Sequence, residues 1–494
     1  MIYFTGSLAL MCLLAAAWLN RSSAPPAKPQ TRLATTLLSL RRVPETTTAE
    51  VAEARLKTSI DAFAKDTLTE TTCLVVEVRG HRIIDLNSEL PLVPASTEKL
   101  LTGVEAIKKL GTDYRFRTQA TSVGAVSNGV LTGDLYLIGG GDPVLSTAEY
   151  TSSLKIQPAI STKFEDLADA IAATGIRSIT GSIIGDESRY DNVRYLKSWG
   201  FSFVIKDHTG PLSALDLNDG FTDITGIGAI AAEPATYAAD VLKGLLQARN
   251  ITVAGGASTG VAPNGTKEIA AVESQPLGEI VADMLRNSDN MTAELLTKEL
   301  DRAAGGKGTT RAGAAATVAG LSAGGLPVGK TKLIDGSGLD SGNRTTCNLL
   351  HAALLAGGVH GPIGDGLAVA GRSGTLNDKM TSTAAEGRLR AKTGAIYGVI
   401  GLVGYVDAPA QNPTSTPPVS FAFVLNGVPD EIKRGIIRDR LGETLALFPA
   451  GFSAATIEPL PPVIPTPPKG TKPTAKTTTT TKPAGPTTTT SASP

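Results

Sequence analysis

The stretch Val93-Pro94-Ala95-Ser96-Thr97-Glu98-Lys99, followed by an apolar run that opens with Leu100-Leu101, decides how the chain is read. The spacing predicts a helix from Ser96 to about Leu110. A Ser that opens a helix has its hydroxyl near the positive end of the helix dipole. Lys99, three residues on, lies one turn away on the same face. A neutral amine there can take the hydroxyl proton and make Ser96 a nucleophile. That chemistry needs a Lys with a lowered proton affinity, which burial and a second nearby cation supply. The tetrapeptide alone says little, because Ser96 also suits an N-cap with no chemistry.

Two later motifs join it. Ser288-Asp289-Asn290 sits between two amphipathic segments, LGEIVADMLRN and MTAELLTKEL. In a tight interhelical loop Ser288 and Asn290 can point into one cleft, although Asp289 or Asn290 equally suits the cap of the second helix. Lys392-Thr393-Gly394, followed by Ala395, ends a strand-like run. Lys and Thr there can offer charge and a hydroxyl to a carboxylate, and Gly admits a substrate backbone. A solvated strand end is the plainer reading of the tripeptide by itself.

Outward from these motifs the pattern is mixed. Residues 50–65 have helical spacing, with Val51, Leu56, Ile60 and Phe63 near one face. CLVVEVRG and HRIIDLN read as a hairpin meeting at Gly80-His81. GRLRAKTG, GVIGLVGYVDA and PVSFAFVLNG read as an antiparallel meander, closed by an amphipathic helix that turns Ile432, Ile436, Ile437 and Leu441 to a core. The stretch 116–271, with Gly-punctuated short strands such as GDLYLIGGG, reads as an insert with its own core.

The chain has 494 residues, too many for one ordinary domain, and 41% of them are apolar. Lys plus Arg and Asp plus Glu are equal at 46 each, which offers no case for nucleic acid as partner. Four His and three Cys without close pairing give no case for a metal site, and no cofactor is expected. An unbroken apolar run, Leu8–Leu19, suits the core of a secretory signal better than a full membrane span, although a short anchor stays open. Its flank is unusual: no Lys or Arg precedes it, and Arg21, Lys28 and Arg32 follow. The Pro/Thr-rich end buries too little apolar surface to order itself, and reads as a stalk, a wall-threading spacer or an inert tail. The expected organisation is a signal or anchor at 1–20, a linker at 21–48, a main domain from 49–115 and 272–450, the insert at 116–271, and a tail at 451–494. The expected location is exported, in the cell envelope, periplasmic space or outside the cell.

Taken in order, the three motifs match the Ser-x-x-Lys, Ser-x-Asn and Lys-Thr-Gly set of penicillin-binding proteins and serine β-lactamases. Over roughly residues 50–450 the chain resembles the low-molecular-mass penicillin-binding proteins of the D-Ala-D-Ala carboxypeptidase/endopeptidase type, peptidase family S13. The supporting segments are PASTEKLLTG, GDLYLIGGGDPVL, GIRSITGSIIGDESRYD, RNSDNMTAELLTKEL, DGSGLD and AGRSGTL. The resemblance implies an α+β fold, the penicillin-binding transpeptidase domain with an antiparallel sheet flanked by helices, interrupted by a β-rich inserted domain. It implies Ser96 as acylated nucleophile, Lys99 as its base, and Ser288 passing a proton to the leaving D-alanine. Asn290 would order Lys99 and the substrate amide. Lys392 and Thr393 would hold the terminal carboxylate beside Gly394, and the N–H groups of Ser96 and Ala395 would form the oxyanion hole. The implied partners are peptidoglycan stem peptides as substrate and β-lactams as inhibitors.

The sequence also departs from that pattern. Ala395 stands where the family commonly has Thr or Ser, so a second hydroxyl for the carboxylate is lost. In relatives an Asp of the insert and an Arg face the side chain of the stem peptide's diamino acid; Asp186 matches that Asp, with Tyr190 four residues on as a further substrate-binding candidate. The Arg expected to accompany them is Ser341, with Arg344 three residues on. Cys73 and Cys347 can pair in an oxidising compartment or remain two buried thiols. The alternatives are a serine β-lactamase and an inactive wall-associated binding protein. The first needs a group to activate water, yet residues 312–334 contain no Asp or Glu. The second should have lost Ser96, Lys99 or Lys392 first.

Overall fold

The strands that read as most apolar in the sequence are the ones buried on both faces. In the computed structural model, which describes residues 43–154, 159–199, 209–223, 229–409 and 418–449, one six-stranded sheet organises the chain. Strand β1 (Thr72–Val78) turns through Arg79-Gly80, both at positive φ, into β2 (His81–Leu86). Positive φ at both central positions suits the twist of a two-residue hairpin. The other strands are β3 (Ala368–Val369), β4 (Leu389–Ile396), β5 (Val399–Val406) and β6 (Val419–Leu425). The order is β3-β4-β5-β6-β1-β2, with every neighbour antiparallel. The expected meander is therefore present, and β1 closes onto its last strand with Cys73 opposite Val424.

Helices cover the sheet. On one face Cys73, Val75, Val403, Tyr405, Ala422 and Val424 share a core with α2 (Lys99–Leu110), α3 (Leu277–Asn287), α4 (Asn290–Ala303) and α6 (Cys347–Gly357), and α5 (Thr310–Ala323) joins the same cluster. Alternate residues Leu74, Val76, Phe421 and Phe423 are buried on the opposite face. There α1 (Val43–Thr67) and α7 (Glu431–Ala446) pack together, with the Arg440 guanidinium over the Phe63 ring.

Both of these helices correct the sequence reading. In α1 Leu56, Ile60 and Phe63 are buried, but Val51 is 47% exposed and Ala52 faces inward instead. In α7 Ile437, Leu441 and Leu445, spaced by four, form the buried stripe, while Ile432 and Ile436 are 77% and 54% exposed. A helix on a sheet buries one stripe, so apolar residues a third of a turn away stay in water. α1 also begins at Val43, inside the expected linker, and Pro44 is compatible with a first helical turn. The expected signal or anchor at 1–20 and the tail at 451–494 lie outside the described residues. Among the described residues no helix is long and apolar enough to cross a membrane.

Between α2 and α3 the chain builds three further sheets, of five, four and two strands. One has five strands, with Ile183–Asp186 parallel to Leu135–Ile138 and to Ala257–Thr259, and Arg117–Ser122 antiparallel to Lys267–Glu273 at the other side. Helices Phe164–Ala173 and Pro234–Gln247 contribute Phe164, Leu167, Ala238 and Leu242 to a core separate from that of the six-stranded sheet. A small third cluster joins Tyr190, Trp199 and Leu212 of this segment to Met291 and Leu295 of α4 and to Leu339. Cys73 and Cys347 are joined by a disulfide, with Cα atoms 5.8 Å apart.

Candidate active site

The first motif folds as a 3-10 turn, Ala95–Glu98, that leads directly into α2. Ala95 is held at φ 48°, a left-handed conformation costing an L-residue roughly 1–2 kcal/mol. The turn is fixed by the Thr97 hydroxyl, which donates to the Pro94 carbonyl at 2.7 Å. Ser96 is half-buried, and Lys99 is completely buried. The Lys99 Nζ lies 3.0 Å from Ser96 Oγ and donates to Asn290 Oδ1 and to the Ser337 carbonyl, each at 2.7 Å.

Ser288 ends α3 at φ 63°, and Asp289 caps α4 by accepting from the Thr292 N–H. The tight link leaves Asn290 as the first residue of α4. Ser288 Oγ accepts from the Lys392 Nζ at 2.9 Å, whose other partner is the Thr393 carbonyl at 2.8 Å. Thr393 Oγ1 is 2.8 Å from Thr375 Oγ1, a hydroxyl the sequence reading did not single out. Gly394 explains how β4 approaches: a Cβ there would lie 2.8 Å from the Pro94 carbonyl oxygen and 2.9 Å from the Thr97 nitrogen. No side chain fits, so the strand backbone before exposed Ala395 runs alongside the turn that carries Ser96.

A second turn, Asp335-Gly336-Ser337-Gly338, backs the site. Gly338 is at φ 84°, and a Cβ on it would come within 2.0 Å of the Ala95 carbonyl oxygen. The Asp335 carboxylate accepts from the Gly338 and Asp340 N–H groups, from Asn343 Nδ2 and from Trp199 Nε1. The sequence of this segment carries no sign of a role of its own. Its contribution to Lys99 is a backbone carbonyl, which leaves no residue signature.

Burial sets the electrostatics. It pulls the Lys99 ammonium down to about 8, against the opposing pull of Asp289, Asp335, Glu294 and Glu98. Lys392, also completely buried, is held well below the ordinary Lys range by desolvation and then by the charge of Lys99. Glu98 is pushed well above the usual carboxylate range by burial, then by Asp335 and Glu294. At neutral pH the site therefore favours few buried charges, and Lys99 is poised to give and take a proton.

Asp186 and Tyr190, the two other expected site residues, both make hydrogen bonds within the protein. Asp186 is 4% exposed, and its two carboxylate oxygens accept from the Ser188 and Ala262 N–H groups, each at 2.8 Å. The Tyr190 hydroxyl donates to Glu299 at 2.8 Å, and Arg189 pairs with the same carboxylate. Asp186 thus ties its own turn to residue 262, while Tyr190 and Arg189 tie the neighbouring turn to Glu299 of α4. Arg344 donates to the carbonyls of Ser341 and Asn343 on its own loop.

Comparison with known proteins gives one consistent result. The family described as D-Ala-D-Ala carboxypeptidase 3 (S13) matches residues 56–227 and 224–446. A D-alanyl-D-alanine carboxypeptidase of Actinomadura sp. (strain R39) is 28% identical, over 77% of this chain and 83% of its own length. Carboxypeptidase DacB of Mycolicibacterium smegmatis is 31% identical, over 66% of this chain and 71% of its own. The crystal structure of penicillin binding protein 4 from Haemophilus influenzae superposes with a TM-score of 0.66 at 19% identity, over 78% of this chain and 99% of that one.

Proposed function

The chain belongs to the D-Ala-D-Ala carboxypeptidase 3 (S13) family, and from that premise we propose that it removes the terminal D-alanine of peptidoglycan stem peptides through an acyl-enzyme on Ser96. It is a serine-type carboxypeptidase of the cell envelope. The observation that carries the mechanism is Lys99: a fully buried amine 3.0 Å from Ser96 Oγ, with two other acceptors for its N–H groups. In the neutral amine those two N–H bonds stay in place, and the lone pair is left to accept the Ser96 proton.

Ser96 Oγ then attacks the carbonyl carbon of the penultimate D-alanine, and its proton moves to Lys99. Negative charge develops on the carbonyl oxygen, where the N–H groups of Ser96 and Ala395 are the natural donors. Collapse breaks the C–N bond, and the leaving amine takes a proton by way of Ser288. Lys392 would acquire its full charge when the substrate carboxylate arrives, because an opposite charge offsets its desolvation. Thr393, held by Thr375, adds a hydroxyl to the same carboxylate. Water repeats the attack on the ester, with Lys99 again taking the proton, and frees Ser96. Cleavage of a D-Ala-linked cross-bridge uses the same acyl-enzyme, so endopeptidase action falls within the same chemistry. β-Lactams mimic the D-Ala-D-Ala amide and should acylate Ser96.

We read 49–115 with 272–450 as the peptidase domain and 116–271 as an inserted domain, a division supported by the separate core of the latter. Export through the apolar segment at 8–19 is supported by the Cys73–Cys347 disulfide, a bond of oxidising compartments. The test is labelling with a fluorescent penicillin, followed by incubation with stem pentapeptide and identification of the product. Wild type should label and release D-alanine, and Ser96→Ala should do neither. A Ser96→Ala protein that still labels would remove the assignment.

A further inference from the structure

Glu294 has no role in the mechanism above, yet it is completely buried on the same face of α4 as Asn290, one turn on. Its Oε1 accepts from the N–H groups of Gly336 at 3.0 Å and Ser337 at 2.8 Å. The Ser337 carbonyl is in turn an acceptor of the Lys99 Nζ. One face of one helix thus holds both acceptors that flank Ser96 around the amine, Asn290 directly and Ser337 through Glu294. The turn has little freedom otherwise. Thr102 Oγ1 donates to the Gly336 carbonyl at 2.8 Å, and a Cβ on Gly336 would lie 1.8 Å from Thr297 Oγ1.

We propose that Glu294 is a positioning residue of the Lys99 base: by holding the two amides of the 336–337 turn, it aims the Ser337 carbonyl at Nζ so that the amine lone pair faces Ser96. The inference rests on the reading of Ser96 and Lys99 as nucleophile and base. A carboxylate is not what this role demands. It demands an acceptor of the right length, because two backbone N–H groups must be met from one side-chain oxygen. The charged or titratable groups around Lys99 are Glu98 on its own turn, Asp289 in the interhelical link, Glu294 on α4, Asp335 on the backing turn and Lys392 on β4.

Two substitutions separate reach from charge. Glu294→Gln keeps the acceptor and its length but removes any charge. Glu294→Asp keeps the carboxylate but is one methylene short of the amides. The readout is the second-order rate constant for acylation of Ser96 by a fluorescent penicillin, measured across pH, with folding checked by thermal melting. Glu294→Gln should keep its alkaline plateau within about threefold of wild type. Glu294→Asp should lose at least about tenfold, part of the roughly hundredfold or more that a positioned general base contributes. Its acid limb should also move to lower pH, since an ammonium with one acceptor fewer is less favoured. The inference fails if both variants acylate like wild type, if Gln is slow while Asp is not, or if Asp slows with its limb unmoved. The last pattern would mark a merely structural role. Wild type that is not acylated at Ser96 would instead remove the underlying reading of the site.

Discussion

The proton affinity of Lys99 makes the acylation step a measurable function of pH. With the amine at about 8, roughly a tenth of the enzyme carries the neutral base at about pH 7. The acylation rate constant should therefore rise close to tenfold from about pH 6 to pH 7 and flatten above about pH 9. Asp289 is the foremost of the charges that raise Lys99. Its carboxylate also caps α4 through the Thr292 N–H, a role that Asn fills nearly as well. Asp289→Asn should thus preserve the fold, weaken the hold of Lys99 on its proton, and move the acid limb to lower pH with the plateau kept. Lys99→Arg retains a cation that cannot give up its proton and should cost at least about a hundredfold at every pH. The assay is stopped-flow or quenched labelling with a chromogenic or fluorescent β-lactam, under single-turnover conditions. A flat profile over this range, or a limb that moves to higher pH in Asp289→Asn, would refute the assignment of Lys99 as the titrating base.

Three other outcomes are expected. Glu98 is buried with both carboxylate oxygens lacking a partner and its proton affinity raised, so its stabilising contribution is present at low pH and lost as pH rises from the ordinary carboxylate range toward its folded value; Glu98→Gln should raise Tm at neutral and alkaline pH, with the gain vanishing near about pH 4. Reducing the Cys73–Cys347 bond, which spans 274 residues, should destabilise the protein by about 2–5 kcal/mol, read as a fall in Tm in dithiothreitol. Because Ser341 supplies no cation and Arg344 is bonded to its own loop, stem peptides with an amidated diamino-acid carboxylate should be tolerated or preferred, and Ser341→Arg should swing kcat/KM toward the free acid; a wild-type preference for the free acid that Ser341→Arg leaves unchanged would point to Arg344 instead.

What the sequence made legible divides along a physical line. Ser96, Lys99, Ser288, Asn290 and Lys392 are side-chain chemistry at short spacing, and local helix and strand geometry brings each motif to one point. The meander of β4, β5 and β6 is legible because Gly, Pro and Asn breaks separate its strands and because β5 and β6, buried on both faces, read as near-continuous apolar runs. Exposure on α1 and α7 was not. Ile432 and Ile436 fit a helical period as well as Ile437 and Leu441 do, and the stripe that wins depends on which side the sheet lies. The disulfide was undecided for a like reason, since pairing turns on a Cα separation fixed by β1 and α6 together.

The environment that lowers the proton affinity of Lys99 leaves the least trace in the sequence. Lys99 owes its lowered affinity to complete burial, and the limit on that lowering to four carboxylates on separate stretches of chain: Glu98 beside it, Asp289 and Glu294 at the start of α4, and Asp335 on the backing turn. No spacing rule links position 99 to position 335. The acceptor that completes the amine, the Ser337 carbonyl, belongs to a group every residue possesses. Its selection depends on Gly338, which lets the turn approach to where a Cβ would meet the Ala95 carbonyl, and on Glu294, which fixes the two amides before it. On the proposed reading the motif supplies the nucleophile and the base, while the acceptor that orients the amine comes from a glycine turn and a buried carboxyl roughly two hundred residues away in sequence.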